Sequence, residues 1–203
     1  MSTPTVATDP FKRLLWLDFE TNGLHDNGYE VHVLEVAAVV TDADLNELAV
    51  FDPMTLRAPD EAYDSMDAFV TEMHTKNGLL EESKRSAIIA HGADAELSAF
   101  VGEWFPPKDQ ADKDADYQYK GAVVAGSSVG SFDLRVLSER FPLTRKRCSH
   151  RTFDISAVNE FAARLGIESV NTPDSAALSQ HRALSDIYAS ISKAKALRDG
   201  LLR

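Results

Sequence analysis

The sequence predicts an α/β fold in which helices cover a central mixed β-sheet. Short apolar runs near the start of the chain have the length and composition of buried strands. Further along the chain, similar runs alternate with segments whose apolar residues recur at helical spacing. Consecutive strands followed by alternating strands and helices are typical of this architecture.

Five segments are predicted to be strands because each is short, apolar and bounded by polar or turn residues. The second and third are joined near Asp42–Asn46, and the fourth ends at Gly126. Together they are enough for one sheet. The predicted strands are Leu14–Asp18, Val31–Thr41, Glu47–Phe51, Ala122–Ala125 and Thr152–Ile155.

Four helices are predicted where apolar residues recur every three or four positions. Ser156 is predicted as the N-cap of the third helix and Gly166 as its C-cap, since both residue types favour those positions. The predicted helices are Glu96–Trp104, Phe132–Phe141, Ser156–Leu165 and Ala183–Arg198.

Length and composition indicate a single domain. The chain has 203 residues, which is the size of one ordinary domain. We expect residues 1–10 to form a disordered tail and residues 11–203 to form the domain. The polar segment Pro106–Lys120 lacks periodicity and is predicted to be a surface loop within the domain.

The sequence favours a cytoplasmic protein. Its single cysteine, Cys148, excludes an intramolecular disulfide, which fits a reducing compartment. No apolar run approaches the roughly 20 residues of a membrane helix. The first residues, MSTPTVATDP, lack the basic and apolar regions of a secretory signal.

The formal net charge of −11 limits the expected partners. Proteins that grip long nucleic acids usually present a basic face. An acidic chain therefore indicates either that nucleic acid is not the partner or that the partner is short and held through metal ions.

Asp18 and Glu20, in the segment LDFETNGL, are the first candidate site. Side chains two residues apart on a strand point to the same side, so these carboxylates are expected to lie together at the end of the first strand. Two neighbouring anions repel unless a cation lies between them, which points to a divalent metal. The alternative is a chance pair of acidic residues on an exposed edge.

Two further segments carry acidic residues at expected strand ends or helix starts. Asp133 follows a strand and a small-residue loop in GSSVGSFDLRVL, and helix-dipole stabilisation alone is an alternative reason for its position. In HRALSD, His181 is predicted just before a helix and Asp186 in the second turn of that helix. A plain surface histidine is the alternative for His181.

Taken together, the three segments favour a metal-dependent phosphodiester hydrolase. Carboxylate oxygens suit Mg²⁺ or Mn²⁺, and four carboxylates with one histidine fit a two-metal hydrolytic site. A thiolate metal site is excluded because the chain has one cysteine.

The three segments also resemble the motifs of the DEDD exonuclease superfamily in its histidine subclass, and the chain is most similar to the oligoribonuclease family. Other segments that carry the resemblance are VVTDADLNEL, MHTKNGLLEESKRS and RTFDISAVNEFAARLG. The resemblance implies an RNase H-like exonuclease fold with a five-stranded mixed sheet, and 3′–5′ cleavage of short RNA strands to 5′-mononucleotides. It also implies a homodimer.

The resemblance implies roles for the site residues. Asp18, Glu20, Asp133 and Asp186 would hold two divalent ions, Mg²⁺ or Mn²⁺. His181 would accept the proton of the attacking water, since histidine is the side chain that titrates nearest neutral pH. Because none of these groups reads a base, cleavage is expected to be largely independent of sequence.

Substrate contacts are also carried over from the family. Leu24 would wedge between the terminal bases and Phe69 would stack on a base, with core packing as the alternative for both. The 5′ phosphate would be capped by Ser128, His150, Arg151 and Ser156, in part from a partner subunit. For Ser156 a plain N-cap is the alternative, and for the basic cluster Arg145–Arg151 a solvated surface is the alternative.

Departures from the family pattern leave the length and the sugar type of the substrate undetermined. The first motif reads DFETNGL where the family has D-[LM]-E-M-T-G-L, the second reads GSFD where the family has G-Q-D, and His150 replaces an aromatic residue. One alternative is an RNase T-like or proofreading exonuclease that acts on longer single strands of DNA or RNA. Another is an inactive exonuclease fold used for binding.

Overall fold

A computed structural model describes residues 9–24, 30–108, 119–166 and 180–201. The predicted tail of residues 1–10 lies outside this part of the chain except for Asp9 and Pro10. Asp9 caps a short 3₁₀ turn that spans Pro10–Lys12. Most of the predicted loop Pro106–Lys120 also lies outside the described residues.

The described strands form one five-stranded mixed sheet. Strands β1, β2 and β3 are antiparallel neighbours, while β4 runs parallel to β1 and β5 runs parallel to β4. The order across the sheet is β3-β2-β1-β4-β5. The predicted α/β sheet is thereby confirmed, with bounds of Leu14–Thr21 (β1), Val33–Thr41 (β2), Glu47–Thr55 (β3), Ala122–Gly126 (β4) and Cys148–Asp154 (β5).

The helices flank this sheet. The predicted helices are found as α4, α5, α7 and α8. Helices α1, α2, α3 and α6, each of nine residues or fewer, were not predicted. The bounds are Asp60–Asp64 (α1), Ala68–Lys76 (α2), Leu79–Arg85 (α3), Ala90–Trp104 (α4), Asp133–Arg140 (α5), Pro142–Arg147 (α6), Ile155–Arg164 (α7) and Ala183–Leu201 (α8).

Alternation along β1 divides the core into two layers. Leu15, Leu17 and Phe19 pack in the same cluster as residues of α4, while Trp16 packs in the cluster that contains the apolar face of α8. The Trp16 indole donates a hydrogen bond to Thr41 Oγ1 at 2.9 Å, so its polar atom is satisfied inside the core. By the same alternation, Asp18 and Glu20 face the α8 side of the sheet.

Strand β2 is buried along its whole length, including Glu35. Such burial is expected for a strand with neighbours on both edges and helices on both faces. A carboxylate in this position requires a partner, and its partner is described with the site. In the described part of the chain, no helix combines the length and the apolar character that a bilayer span requires.

The third predicted helix begins one residue early, and Ser156 is not its N-cap. Asp154 is the cap instead, since its Oδ1 accepts a hydrogen bond from the Ser156 amide at 2.9 Å. A carboxylate at this position satisfies a free helical amide and is favoured by the helix dipole. The Ser156 hydroxyl is thereby left for another contact. Gly166 follows the C-cap residue with a φ of 68°, where glycine is favoured.

Candidate active site

Three carboxylates from distant parts of the chain converge at one end of the sheet. Asp18 and Glu20 lie on β1, and Asp186 lies in the first turn of α8, one turn earlier than predicted. Each offers an oxygen, and these oxygens all lie within 4.8 Å of one another. Glu20 is buried, while Asp18 and Asp186 are half-buried.

Asp133 borders this group of three but is not part of it. It is the first residue of α5, as predicted, and it is buried. Its Oδ1 accepts a hydrogen bond from the Phe19 amide at 3.3 Å, so the backbone of β1 holds the carboxylate beside Asp18. Burial raises the pKa of Asp133 to about 7 in spite of that hydrogen bond.

Burial and mutual repulsion make ionisation of these carboxylates unfavourable. Burial raises the pKa of Asp18 well above its ordinary value, and the charges of Asp133 and Glu20 raise it further. The pKa of Glu20 rises to about 8, first through burial and then through the charge of Asp186, while Arg182 acts in the opposite direction. Cations bound between the oxygens would remove this penalty.

The donor set fits a hard divalent cation. All of the converging groups are carboxylates, which are the ligands that Mg²⁺ and Mn²⁺ prefer. The oxygens of three of them lie within 4.8 Å of one another. Residues of this chain that would hold the metal are therefore Asp18, Glu20 and Asp186, with Asp133 beside them.

His181 lies two residues before α8 begins, on the segment that leads into the helix of Asp186. Its side chain is exposed and its backbone has a φ of 50°, a left-handed conformation that is uncommon outside glycine. Its carbonyl accepts a hydrogen bond from Asn77 Nδ2 at 2.6 Å. A cavity of about 330 Å³ beside it is also lined by Met73 and Lys76 of α2.

Glu35 and Arg182 form an ion pair that the sequence reasoning missed. Arg182 Nη2 donates to Glu35 Oε1 at 2.6 Å, and Glu35 Oε2 accepts the amide of Ala183 at 2.9 Å. Arg182 also binds Glu82 at 2.8 Å. Glu35 thus anchors the start of α8 to the sheet. An acidic residue inside an otherwise apolar strand was the signal that could have revealed it.

His74 joins α2 to the end of β1. It is fully buried, and its Nε2 lies 2.9 Å from the Thr21 carbonyl, to which it must donate. Burial lowers the pKa of His74, so the ring is neutral at pH 7. The contact fixes the strand immediately after Glu20.

Leu24 and Phe69 are both exposed, so the core-packing alternative is wrong for each. Leu24 follows β1 and is 56% exposed, and Phe69 lies in the first turn of α2 and is 72% exposed. Exposure of two large apolar side chains on segments that adjoin the site leaves them free to contact a ligand.

Ser128 and Ser156 are brought together at the end of β4. Their hydroxyl oxygens are 3.2 Å apart, and the Ser128 amide donates to both Ser156 Oγ and Asp154 Oδ1. Ser128 has a φ of 59°. The two predicted hydroxyls therefore form one small polar surface.

His150 and Arg151 are not placed beside the carboxylates of their own chain. Both are exposed on the edge strand β5, and Arg151 lines a cavity with Leu14, at the opposite end of β1 from Glu20. Other cations of the basic cluster have structural contacts, as when Arg147 Nε donates to Ser98 Oγ at 2.9 Å.

Comparison with known proteins gives a consistent assignment, although no family model matches the chain. It is 30% identical over 198 residues to an oligoribonuclease of Azoarcus, covering 98% of this chain and 99% of the relative. It is 34% identical to an oligoribonuclease of Corynebacterium diphtheriae, covering 88% and 78% of the two chains. For human mitochondrial oligoribonuclease the identity is 32%, and the coverage is 95% and 74%.

Solved structures show the same fold. A structure of exonuclease I matches with a TM-score of 0.62 at 18% identity, covering 93% of this chain. The zinc-bound complex of E. coli exonuclease I with single-stranded DNA matches with a TM-score of 0.60 at 17% identity, covering 95%. This chain spans only 41% of either exonuclease I chain. The similarity therefore identifies the exonuclease fold, and the sequence relatives place this chain in the oligoribonuclease family of 3′–5′ exoribonucleases.

Proposed function

We propose that this protein removes 5′-mononucleotides from the 3′ ends of very short RNA strands, with dinucleotides among its substrates. The observation that carries the proposal is the convergence of oxygens of Asp18, Glu20 and Asp186 within 4.8 Å of one another. His181 precedes the helix that carries Asp186 by two residues. A net charge of −11 supports short substrates, because each additional phosphate adds repulsion that a long basic groove would otherwise relieve.

The four carboxylates are proposed to hold two divalent cations, Mg²⁺ or Mn²⁺. Cations at such a site neutralise charge on a phosphoryl group and favour attack by water. The chain itself supplies the anionic pocket, and the backbone of β1 holds Asp133 in place. Glu35 and Arg182 fix the start of α8 and therefore the position of Asp186.

His181 is proposed as the general base. It is exposed, so a ring nitrogen can accept the proton of the attacking water and pass it to solvent. His181 is not among the converging carboxylate groups, so its ring nitrogen would be available to accept this proton. The phosphorus–O3′ bond breaks as the new phosphorus–oxygen bond forms, and the terminal nucleotide leaves with a 5′ phosphate.

The exposed apolar side chains Leu24 and Phe69 are proposed to grip the terminal bases. The paired hydroxyls of Ser128 and Ser156 are proposed to bind the 5′ phosphate. His150 and Arg151 would complete that cap from the second subunit of a homodimer, since neither lies beside the carboxylates of its own chain. A cytoplasmic location also remains a prediction.

Substrate length is the first test of the proposal. We expect kcat/KM to be highest for a 5′-labelled diribonucleotide and lower for 7-mer RNA and 20-mer single-stranded DNA. Loss of one charged contact to a terminal phosphate, about 1.5–3 kcal/mol, corresponds to at least roughly tenfold. Each substrate is assayed with Mg²⁺, Mn²⁺ and EDTA. Rates that do not decline with length would favour the longer-strand exonuclease, and activity in EDTA would exclude a metal site.

Removal of one buried charge is expected to stabilise the metal-free protein at high pH. The pKa of Glu20 is about 8 in the folded protein and about 4.5 when unfolded. Its folded form is therefore protonated between those values, and stability declines as pH rises through them. In EDTA at pH 8.5, Glu20→Gln should melt higher than wild type by on the order of 10 °C.

At pH 5 that advantage of Glu20→Gln should disappear, because wild-type Glu20 is then protonated in the folded state. With Mn²⁺ at pH 8.5 the order should reverse, since metal binding stabilises the wild type more. The exposed Glu81→Gln variant controls for loss of one negative charge. Equal melting temperatures of wild type and Glu20→Gln in EDTA at pH 8.5 would contradict the buried-charge account.

Loss of the base should reduce the rate and leave the metal site intact. We expect His181→Ala to lower kcat by about 10²–10⁴-fold, while Mn²⁺ affinity, measured by calorimetry, stays near the wild-type value. His91→Ala, at an exposed histidine outside the site, is the control. Weakened Mn²⁺ binding would make His181 a ligand instead of a base.

Base stacking by Phe69 is tested through substrate affinity. Stacking on one base contributes about 1–3 kcal/mol, so Phe69→Ala should raise KM for a diribonucleotide with a smaller effect on kcat. Phe161→Ala removes a comparably exposed ring on α7, at 58% against 72% exposure. Similar KM values for the two variants would remove Phe69 from the substrate site.

A further inference from the structure

The turn between α2 and α3 holds the segment that carries His181. Asn77 Nδ2 donates to the His181 carbonyl at 2.6 Å and lies 3.3 Å from the Gln180 carbonyl. The same side chain accepts the Leu79 amide through Oδ1 at 3.0 Å. Asn77 therefore joins the start of α3 to the backbone of the predicted base.

The backbone of His181 needs such a contact. Its φ of 50° lies in the left-handed region, which a residue other than glycine keeps only when its surroundings fix it. On the C-terminal side, Arg182 is fixed by Glu35 and Glu82. On the N-terminal side, the Asn77 amide holds the two carbonyls that precede Arg182.

The side chain of His181 is not held in the same way. Within the described ranges, its imidazole makes no hydrogen bond to protein, and it is exposed. The backbone therefore sets the direction of the Cα–Cβ bond and with it the region that the ring can reach. Small displacements of a reacting group reduce rates strongly, so a contact that fixes this backbone affects the chemical step.

We propose that Asn77 is a positioning residue for His181, acting through the hydrogen bond from Nδ2 to the His181 carbonyl. The inference rests on the proposed role of His181 as the base. Asn77 touches neither the substrate nor the carboxylate group in this account. Its loss should therefore reduce kcat and leave KM and metal binding almost unchanged.

Two variants separate this role from the structural role of the turn. Asn77→Asp keeps an oxygen that accepts the Leu79 amide but has no proton to donate to His181. Asn77→Ala loses both contacts. Because the two variants share only the loss of the donor, a decrease in kcat common to both reports on the hydrogen bond to His181.

The experiment measures kcat and KM on a diribonucleotide and the melting temperature, in saturating Mg²⁺. Both variants are expected to lose roughly 10- to 100-fold in kcat, with KM within about threefold of wild type. Asn77→Ala should melt lower than Asn77→Asp. Asn46→Ala, which removes a hydrogen bond to Asp42 in a distant hairpin, is the control and should change stability without changing kcat.

A double-mutant cycle decides whether Asn77 acts through His181. In the His181→Ala background, adding Asn77→Ala should lower kcat by less than about twofold, because the imidazole that Asn77 positions has already been removed. Multiplicative losses would overturn the inference. If His181→Ala is impaired while both Asn77 variants are fully active, the positioning role of Asn77 is contradicted and the role of His181 as the base stands. A fully active His181→Ala variant would contradict both the role of His181 as the base and the inference about Asn77.

Discussion

The burial of several carboxylates at one end of the sheet is the constraint on which the rest of the site depends. Asp18 and Glu20 are positioned by strand alternation, and Asp133 is held by a backbone amide. Burial and mutual repulsion raise their pKa values, so their ionisation is unfavourable in that arrangement. A protein that needed only stability would have no reason to keep these charges together, because neutral side chains of similar volume would remove the repulsion.

The same alternation brings Glu35 of β2 to the cation Arg182, which precedes α8. Glu35 pairs with Glu20 in the register of β2 against β1, so both side chains approach the start of α8. Arg182 is bound by Glu35 and lowers the pKa of Glu20 from a distance. The ion pair thus orders the helix that carries Asp186.

The hydrophobic pattern of the sequence was enough to predict the features that depend on residues close together in the chain. The strands, the long helices and the shared face of Asp18 and Glu20 follow from periods of two and of about 3.6 residues. Contacts such as Glu35–Arg182, which are 147 residues apart, leave no local pattern. The Ser156 prediction was wrong because Asp154, two residues earlier, competes better for the same helix end.

Charge also bears on how long a substrate this fold can accept. The pocket is acidic, and so is the protein as a whole, with a net charge of −11. Repulsion from such a surface increases with each phosphate of an incoming strand, whereas cations held by the carboxylates would act only on the phosphate in the pocket. A dinucleotide brings few phosphates beyond that one. The overall charge therefore acts against long strands in addition to the proposed cap on the 5′ phosphate.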